Sequence, residues 1–195
     1  MTMSRFQATQ ALLELVDKEP IVSSLGRTTF DLHGAKDRPE NFYLFGAMGM
    51  ASSVALGLAR SMPQTKVISL EGDGALLMNL GSLVTIGVLR PANLVLIVWD
   101  NEEYESTGGQ KTHTARGADL ERLARAAGID NTATVRDLDS FKETARRALA
   151  TPGPWLIVAK VKGDGVKRRV PRKPVWFKER FQAAMAELRA QAGGV

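Results

Sequence analysis

Leu94-Val95-Leu96-Ile97-Val98-Trp99-Asp100-Asn101 is the stretch on which the fold turns. Six apolar residues without a break are the pattern of a strand covered on both faces, as the strands of a parallel sheet are. Working outward, residues 66–70 read as another strand, broken at Glu71-Gly72-Asp73-Gly74, and residues 155–161 as a last apolar one. Shorter strands are expected at residues 21–23, 42–45 and 132–135. Helical patterns lie between them at residues 4–18, 48–60, 75–89 (interrupted at Gly81), 119–127 and 137–150. Strands that alternate with helices imply an α/β chain: a doubly wound, mainly parallel sheet with helices on both faces. Residues 100–118, rich in Gly, Thr and Ser, form a loop longer than most connections, which marks a functional segment.

The composition bounds what such a domain can do. The chain has 195 residues, 44% hydrophobic and 24% charged, enough to bury a core without disulfides or a structural metal. It has no cysteine, which excludes thiolate metal sites, cysteine-ligated iron–sulfur clusters and thiol nucleophiles, and suits a cytoplasmic setting. No secretory signal is visible after Met1 and Thr2. The longest uncharged stretch, residues 41–59, holds too many Gly and Ser residues for a membrane span and reads as core.

The net charge of +5 is concentrated near the C-terminus. Residues 160–180 carry nine Lys or Arg, among them Lys167 and Arg168, against Asp164 and Glu179; the rest, with 17 basic and 19 acidic residues, carries −2. A nucleic-acid tail is one reading. Interleaved packing groups such as Val170, Trp176 and Phe177 favour a solvated arm followed by a helix. The expected division is therefore residues 1–160 as one domain and residues 161–195 as a basic arm and helix lying on it or on a partner subunit.

In an open parallel sheet, ligands sit beyond the carboxyl ends of the strands. The turn after residue 70, Gly72-Asp73-Gly74, lets the backbone approach a ligand and presents a carboxylate. After Trp99, Asn101 and its neighbours offer an amide oxygen and free carbonyls. Hard oxygen donors of this kind suit Mg²⁺ shared with phosphate and water, so two adjacent strand ends can hold one magnesium diphosphate. Gly163-Asp164-Gly165 repeats the tripeptide, but it follows the last strand and has no helix or terminal Asn after it, so it reads as a turn.

Gly72-Asp73-Gly74, the helical segment and strand that follow, and Asn101 resemble the thiamine diphosphate motif. Residues 41–53 (Asn-Phe-Tyr-Leu-Phe-Gly-Ala-Met-Gly-Met-Ala-Ser-Ser), residues 76–83 (Leu-Leu-Met-Asn-Leu-Gly-Ser-Leu) and Ser106-Thr107-Gly108-Gly109-Gln110 are similar to the sulfopyruvate and phosphonopyruvate decarboxylases, over nearly the whole chain. The resemblance implies Mg²⁺ ligation by Asp73, Asn101 and the Glu103 carbonyl. It places Gly26, Arg27 and Thr28 against the diphosphate, with Gly72, Gly74, Ala75, Tyr104, Glu105 and Ser106 also lining the cofactor. The carbonyl of Gly46, followed by Ala47, meets the aminopyrimidine, and Met48 is the wedge that bends the cofactor so that its own imino nitrogen reaches the thiazolium C2 proton.

The implied activity is decarboxylation of a small 2-oxo acid, with 3-sulfopyruvate as first choice and a phosphonopyruvate decarboxylase-like or other lyase or synthase role as the alternative. Lys111, His113 and Arg116 are candidates for the substrate's sulfonate or phosphonate, His113 being taken as catalytic. The activating Glu belongs to a pyrimidine-binding half, expected as a separate alpha subunit in a hetero-oligomer; alone, the chain is expected to form a homodimer. Two departures stand out: Glu102, Glu103 and Glu105 add negative charge beside the metal, and Ala75 lacks a hydroxyl. From the residues alone, Met48, Met50 and Met78 also read as core fillers, His33 as a surface or capping group and Trp99 as sheet core. A cofactor-binding subunit without chemistry of its own is the reading from a different class.

Overall fold

The computed structural model of the chain describes residues 3–163, 165 and 169–192. Met1, Thr2, Asp164, Lys167 and Arg168 lie outside them. The deciding stretch forms strand β5 (Leu94–Asp100), buried at every position. Successive side chains of a strand point to opposite faces. Val95, Ile97 and Trp99 accordingly enter one core while Leu94, Leu96 and Val98 enter the other.

The remaining strands are β1 (Met3–Ser4), β2 (Ile21–Ser23), β3 (Asn41–Tyr43), β4 (Val67–Gly72), β8 (Asn131–Val135) and β9 (Trp155–Lys162). They form a seven-stranded sheet in which β9, β5, β4, β2 and β3 run side by side, with β1 and β8 pairing along the outer side of β9. Every pairing in it is parallel. Helices α1 (Arg5–Leu13), α2 (Arg27–Ala35) and α7 (Leu138–Ala150) cover the first face through Leu12, Leu32 and Phe141. Helices α3 (Met50–Ser61), α4 (Asp73–Leu77), α5 (Gly81–Leu89) and α6 (Leu120–Ala126) cover the second through Ala55, Leu76, Ile86 and Ala124. The doubly wound, parallel architecture is as expected, and the chain order changes direction across the sheet at β2.

Three local differences have physical causes. The first helix is shorter than its apolar pattern: Ser4 caps it, accepting from the Gln7 N–H at 3.3 Å. It ends at Leu13, although Val16 still reaches the core. Helix α2 carries Thr28, Thr29 and Gly34 and little apolar periodicity, so it is formed by packing against the sheet rather than by propensity. The long loop contains a small antiparallel hairpin, β6 (Glu103–Tyr104) with β7 (Gln110–Lys111), turned by Gly108 and Gly109 at φ +128° and +72°.

The last helix, α8 (Pro174–Ala192), lies against β3 and closes that edge of the sheet. Phe177 meets Tyr43 edge-on at 5.0 Å between ring centroids, and Phe181 packs on Phe42 at 5.1 Å. Burying one such ring is worth roughly 2–3 kcal/mol. Arg180 grips Asp37 with two bonds of 2.7 Å and lies over the Trp176 ring. His33, read as a surface group, stacks edge-on with Tyr43 and Phe177. No helix among the described residues is long and apolar enough to cross a membrane.

Candidate active site

β2, β4 and β5 all end at one cleft of about 620 Å³, its open mouth included. β4 delivers Gly72, Asp73, Gly74 and Ala75; β5 delivers Trp99 and Asn101; β2 leads through Ser24 and Leu25 into Arg27 and Thr28. The hairpin adds Glu103, Tyr104, Glu105 and Ser106. This is the crevice at the carboxyl ends of the strands, where the chain changes direction.

Asp73 is almost fully buried. One carboxylate oxygen, Oδ2, accepts from Thr112 Oγ1 at 2.5 Å and from Thr114 Oγ1 at 2.8 Å. Burial pushes Asp73 above the ordinary carboxylate range, with the nearby Asp100 charge adding to it, while the threonine hydroxyls pull the other way. The other oxygen, Oδ1, lies 3.3 Å from the Asn101 side-chain atom placed as Oδ1, and that atom lies 2.9 Å from the Glu103 carbonyl.

Three acceptors therefore face one another. With nothing between them, a rotated amide would satisfy the contacts by donating to both oxygens. With a cation between them, the oxygen belongs where it stands. Magnesium–oxygen bonds of about 2.1 Å set neighbouring corners of an octahedron about 3.0 Å apart, and the two separations from Asn101, 2.9 and 3.3 Å, lie near that value. The donor set of one carboxylate, one amide and one carbonyl fits a hard divalent ion. Among the described residues, no group of three or more His, Cys, Asp or Glu side chains is placed to hold a metal.

A charged cluster borders this set. Arg5, 3% exposed, donates to Asp31 at 2.6 Å and to Glu105 at 2.7 Å; Arg27 approaches Glu105 at 3.3 Å, and the Asn101 amide lies 3.4 Å from it. Arg5 and Arg27 together thus balance the charges of Asp31 and Glu105. Glu102 is paired with Lys160 at 2.9 Å and Glu103 with Lys111 at 3.5 Å.

The loop before α3 brings Met48 to the cleft. Ala47 and Gly49 on either side have φ of +61° and +81°. A Cβ on Gly49 would strike the Ala75 carbonyl at 2.6 Å, so only glycine lets this loop close on α4. Gly46 and Ala47 are exposed and lie outside the cleft lining, and Gly26 lines the adjoining cavity with Arg27 and Ser106. Met50 and Met78 are exposed, which corrects their reading as core fillers; Trp99 is buried in the sheet core and also lines the cleft. Lys111, His113 and Arg116 are exposed and are not brought to the cleft. Thr112 and Thr114 are buried, and His113 between them, at the turn into a short 3-10 helix, is exposed.

Sequence reasoning missed Arg5, Glu71, Thr112 and Thr114. Glu71 had a visible signal, a carboxylate ending an apolar strand covered on both faces. It accepts from the Ala51 N–H at 2.8 Å and the Ser52 N–H at 3.3 Å, tying β4 to the start of α3. Burial pushes its carboxyl up to about 7. The folded state therefore holds a proton that the unfolded chain releases near 4.5. Stability from this group is fully present below that pH and is lost as pH rises through about 7. Denaturant titrations of the cofactor- and metal-free chain from pH 4.5 to 8 should show this fall, on the order of 3 kcal/mol, and Glu71→Gln should flatten it; an equal slope in the variant refutes the assignment.

Residues 26–159 match the model of the thiamine pyrophosphate enzyme family, C-terminal TPP-binding domain, and the chain belongs to that family. Among curated relatives, it is 44% identical to the sulfopyruvate decarboxylase subunit beta of Methanocaldococcus jannaschii, over 87% of this chain and 89% of that one. It is 37% identical to the subunit beta of Methanococcus maripaludis, over 95% and 99%. To the phosphonopyruvate decarboxylase of Streptomyces viridochromogenes it is 41% identical over 79% of this chain and 38% of that one. Among solved structures, the 4-hydroxybenzoylformate decarboxylase of Rhodococcus jostii RHA1 superimposes with a TM-score of 0.72 at 20% identity, over 84% of this chain and 33% of that one. The chain thus spans about a third of that structure, a likeness of fold.

Proposed function

We propose that the chain is the diphosphate- and Mg²⁺-binding beta subunit of a thiamine diphosphate-dependent 2-oxo acid decarboxylase acting on 3-sulfopyruvate. The observation that carries the reading is that Asn101 Oδ1 lies 3.3 Å from Asp73 Oδ1 and 2.9 Å from the Glu103 carbonyl, at the carboxyl ends of β4 and β5. A separate pyrimidine-binding alpha subunit supplies the activating Glu. In support, the chain spans 89–99% of two relatives named as beta subunits and only 38% of the phosphonopyruvate enzyme.

Asp73, Asn101 and Glu103 hold the ion. The start of α2, with Arg27 and Thr28, presents backbone N–H groups to the diphosphate. When bound, thiamine diphosphate supplies a thiazolium that adds to the ketone and takes up the electron pair left as CO₂ departs. The protein's part is to hold the charged tail, to wedge the cofactor with Met48, and to keep a half-closed, largely apolar cleft around it. Each of Glu102, Glu103 and Glu105 has a cationic partner, Lys160, Lys111 and the two guanidinium groups, which lessens the conflict between these carboxylates and an anionic substrate.

Mixed with its partner chain, Mg²⁺ and thiamine diphosphate, the protein should release CO₂ from 3-sulfopyruvate. Silence with 3-sulfopyruvate and activity with 3-phosphonopyruvate would reassign the substrate; silence with every 2-oxo acid would favour a non-catalytic cofactor-binding subunit. Met48→Ala should keep Mg²⁺-dependent cofactor binding within about threefold while lowering kcat by about 100-fold, since the bend makes the deprotonation intramolecular. A fully active variant would remove the wedge from the account.

A further inference from the structure

Thr112 follows the return strand of the hairpin and Thr114 opens the short 3-10 turn after it, so neither comes from a strand that ends at the cleft. Both are nonetheless buried, at 1% and 7% exposure. Their hydroxyls lie 2.8 Å apart, and both contact the same oxygen, Asp73 Oδ2. Thr114 Oγ1 is also 2.9 Å from Asp100 Oδ1, and Asp100 is held through its other oxygen by Lys160 at 2.7 Å. A continuous polar chain thus runs from Lys160 through Asp100 and Thr114 to Asp73.

Thr112 gives Oδ2 its hydroxyl proton, and Thr114 shares its single proton between Oδ2 and Asp100 Oδ1; two hydroxyls packed on one oxygen fix what is otherwise a loosely defined torsion, because the terminal rotation of an aspartate is broad. They occupy Oδ2 and leave Oδ1, the atom that faces the Asn101 side chain, which in turn meets the Glu103 carbonyl. Thr112 also closes the base of the hairpin: its N–H donates to the Glu102 carbonyl at 3.1 Å, next to the carbonyl of Glu103. A Cβ on Gly74 would collide with the Tyr104 ring and the Thr112 methyl, so this approach needs glycine at 74. One residue therefore sets the position of the hairpin and the plane of the carboxylate together.

We propose that Thr112 and Thr114 are positioning residues for the divalent cation: they select which oxygen of Asp73 is offered to it and hold that oxygen in register with Asn101 and Glu103. The inference rests on the metal reading given above. Partners that orient a metal ligand typically change metal affinity by about 10–100-fold when lost.

The test uses the full chain and Mg²⁺ with inorganic pyrophosphate as the probe, read by calorimetry, with Mn²⁺ affinity read by electron paramagnetic resonance and the melting temperature recorded alongside. Thr114→Val and Thr112→Val should each weaken binding at least about tenfold. Thr114→Ser and Thr112→Ser should restore it to within about threefold, since each returns the donor without the methyl. A role in folding alone would move the melting temperature and leave the affinity of the folded protein unchanged. Valine variants that bind as tightly as the parent, or serine variants as weak as valine, overturn the proposal. If a valine variant does not fold, the serine and alanine variants at the same position decide by the same comparison. Asp73→Asn separates the two levels: its binding as tightly as the parent, or absence of binding by the parent itself, overturns the metal reading and the clamp with it. Loss in Asp73→Asn without loss in the valine variants overturns the clamp alone.

Discussion

Asp73→Ala is expected to abolish Mg²⁺-dependent binding of thiamine diphosphate while leaving the protein folded. The carboxylate is the only charged donor of the three converging oxygens, and losing it should cost about 4 kcal/mol of binding, or about 1000-fold in affinity. Stability should hold because the change removes a buried charge rather than stranding one. Thr112 and Thr114 still have each other at 2.8 Å, and Thr114 still has Asp100. Calorimetry with and without Mg²⁺, together with a thermal melt, checks both halves; unchanged affinity would refute the metal assignment.

Arg5→Met should produce the largest loss of stability of any single change near the cleft. Arg5 is buried, and its guanidinium pairs with a fully buried Asp31 and with Glu105. Methionine keeps much of the volume and removes the cation from two carboxylates at once. Breaking one side of a buried ion pair costs roughly 3–5 kcal/mol. A urea titration of the cofactor-free chain reads this directly, and a midpoint within experimental error of the parent would show that the cluster contributes nothing net. Glu105, freed from Arg5, would also lose its fixed place beside Asn101, so the variant that remains folded should bind Mg²⁺ and thiamine diphosphate more weakly.

The fold was legible wherever burial on both faces forces an unbroken apolar strand. β5 and β9 show this most clearly, with Leu96, Val98, Leu156 and Val158 entering one core and Ile97 and Ile157 the other. Helix α2 was not legible, because its hold on the sheet comes from a few contacts, Leu32 above all, and not from a repeating pattern. The cleft was legible at Asp73 and Asn101, since a strand end followed by a turn brings its residue to the same edge of the sheet in every such fold. Arg5 was not, since nothing in the local sequence says that a residue near the N-terminus crosses to meet Asp31 and Glu105. Thr112 and Thr114 were not legible, since the chain leaves the return strand at Lys111 and turns into a short 3-10 helix at Thr114, so no strand alternation marks the two threonines as inward.

The account stands on a divalent ion between β4 and β5, and anomalous diffraction from crystals grown with Mn²⁺ and thiamine diphosphate tests that most directly. The expected result is one peak about 2.1–2.3 Å from Asp73 Oδ1, Asn101 Oδ1 and the Glu103 carbonyl, with the diphosphate completing the coordination. No peak there, or an Asn101 amide rotated so that its nitrogen faces Glu103, would contradict it.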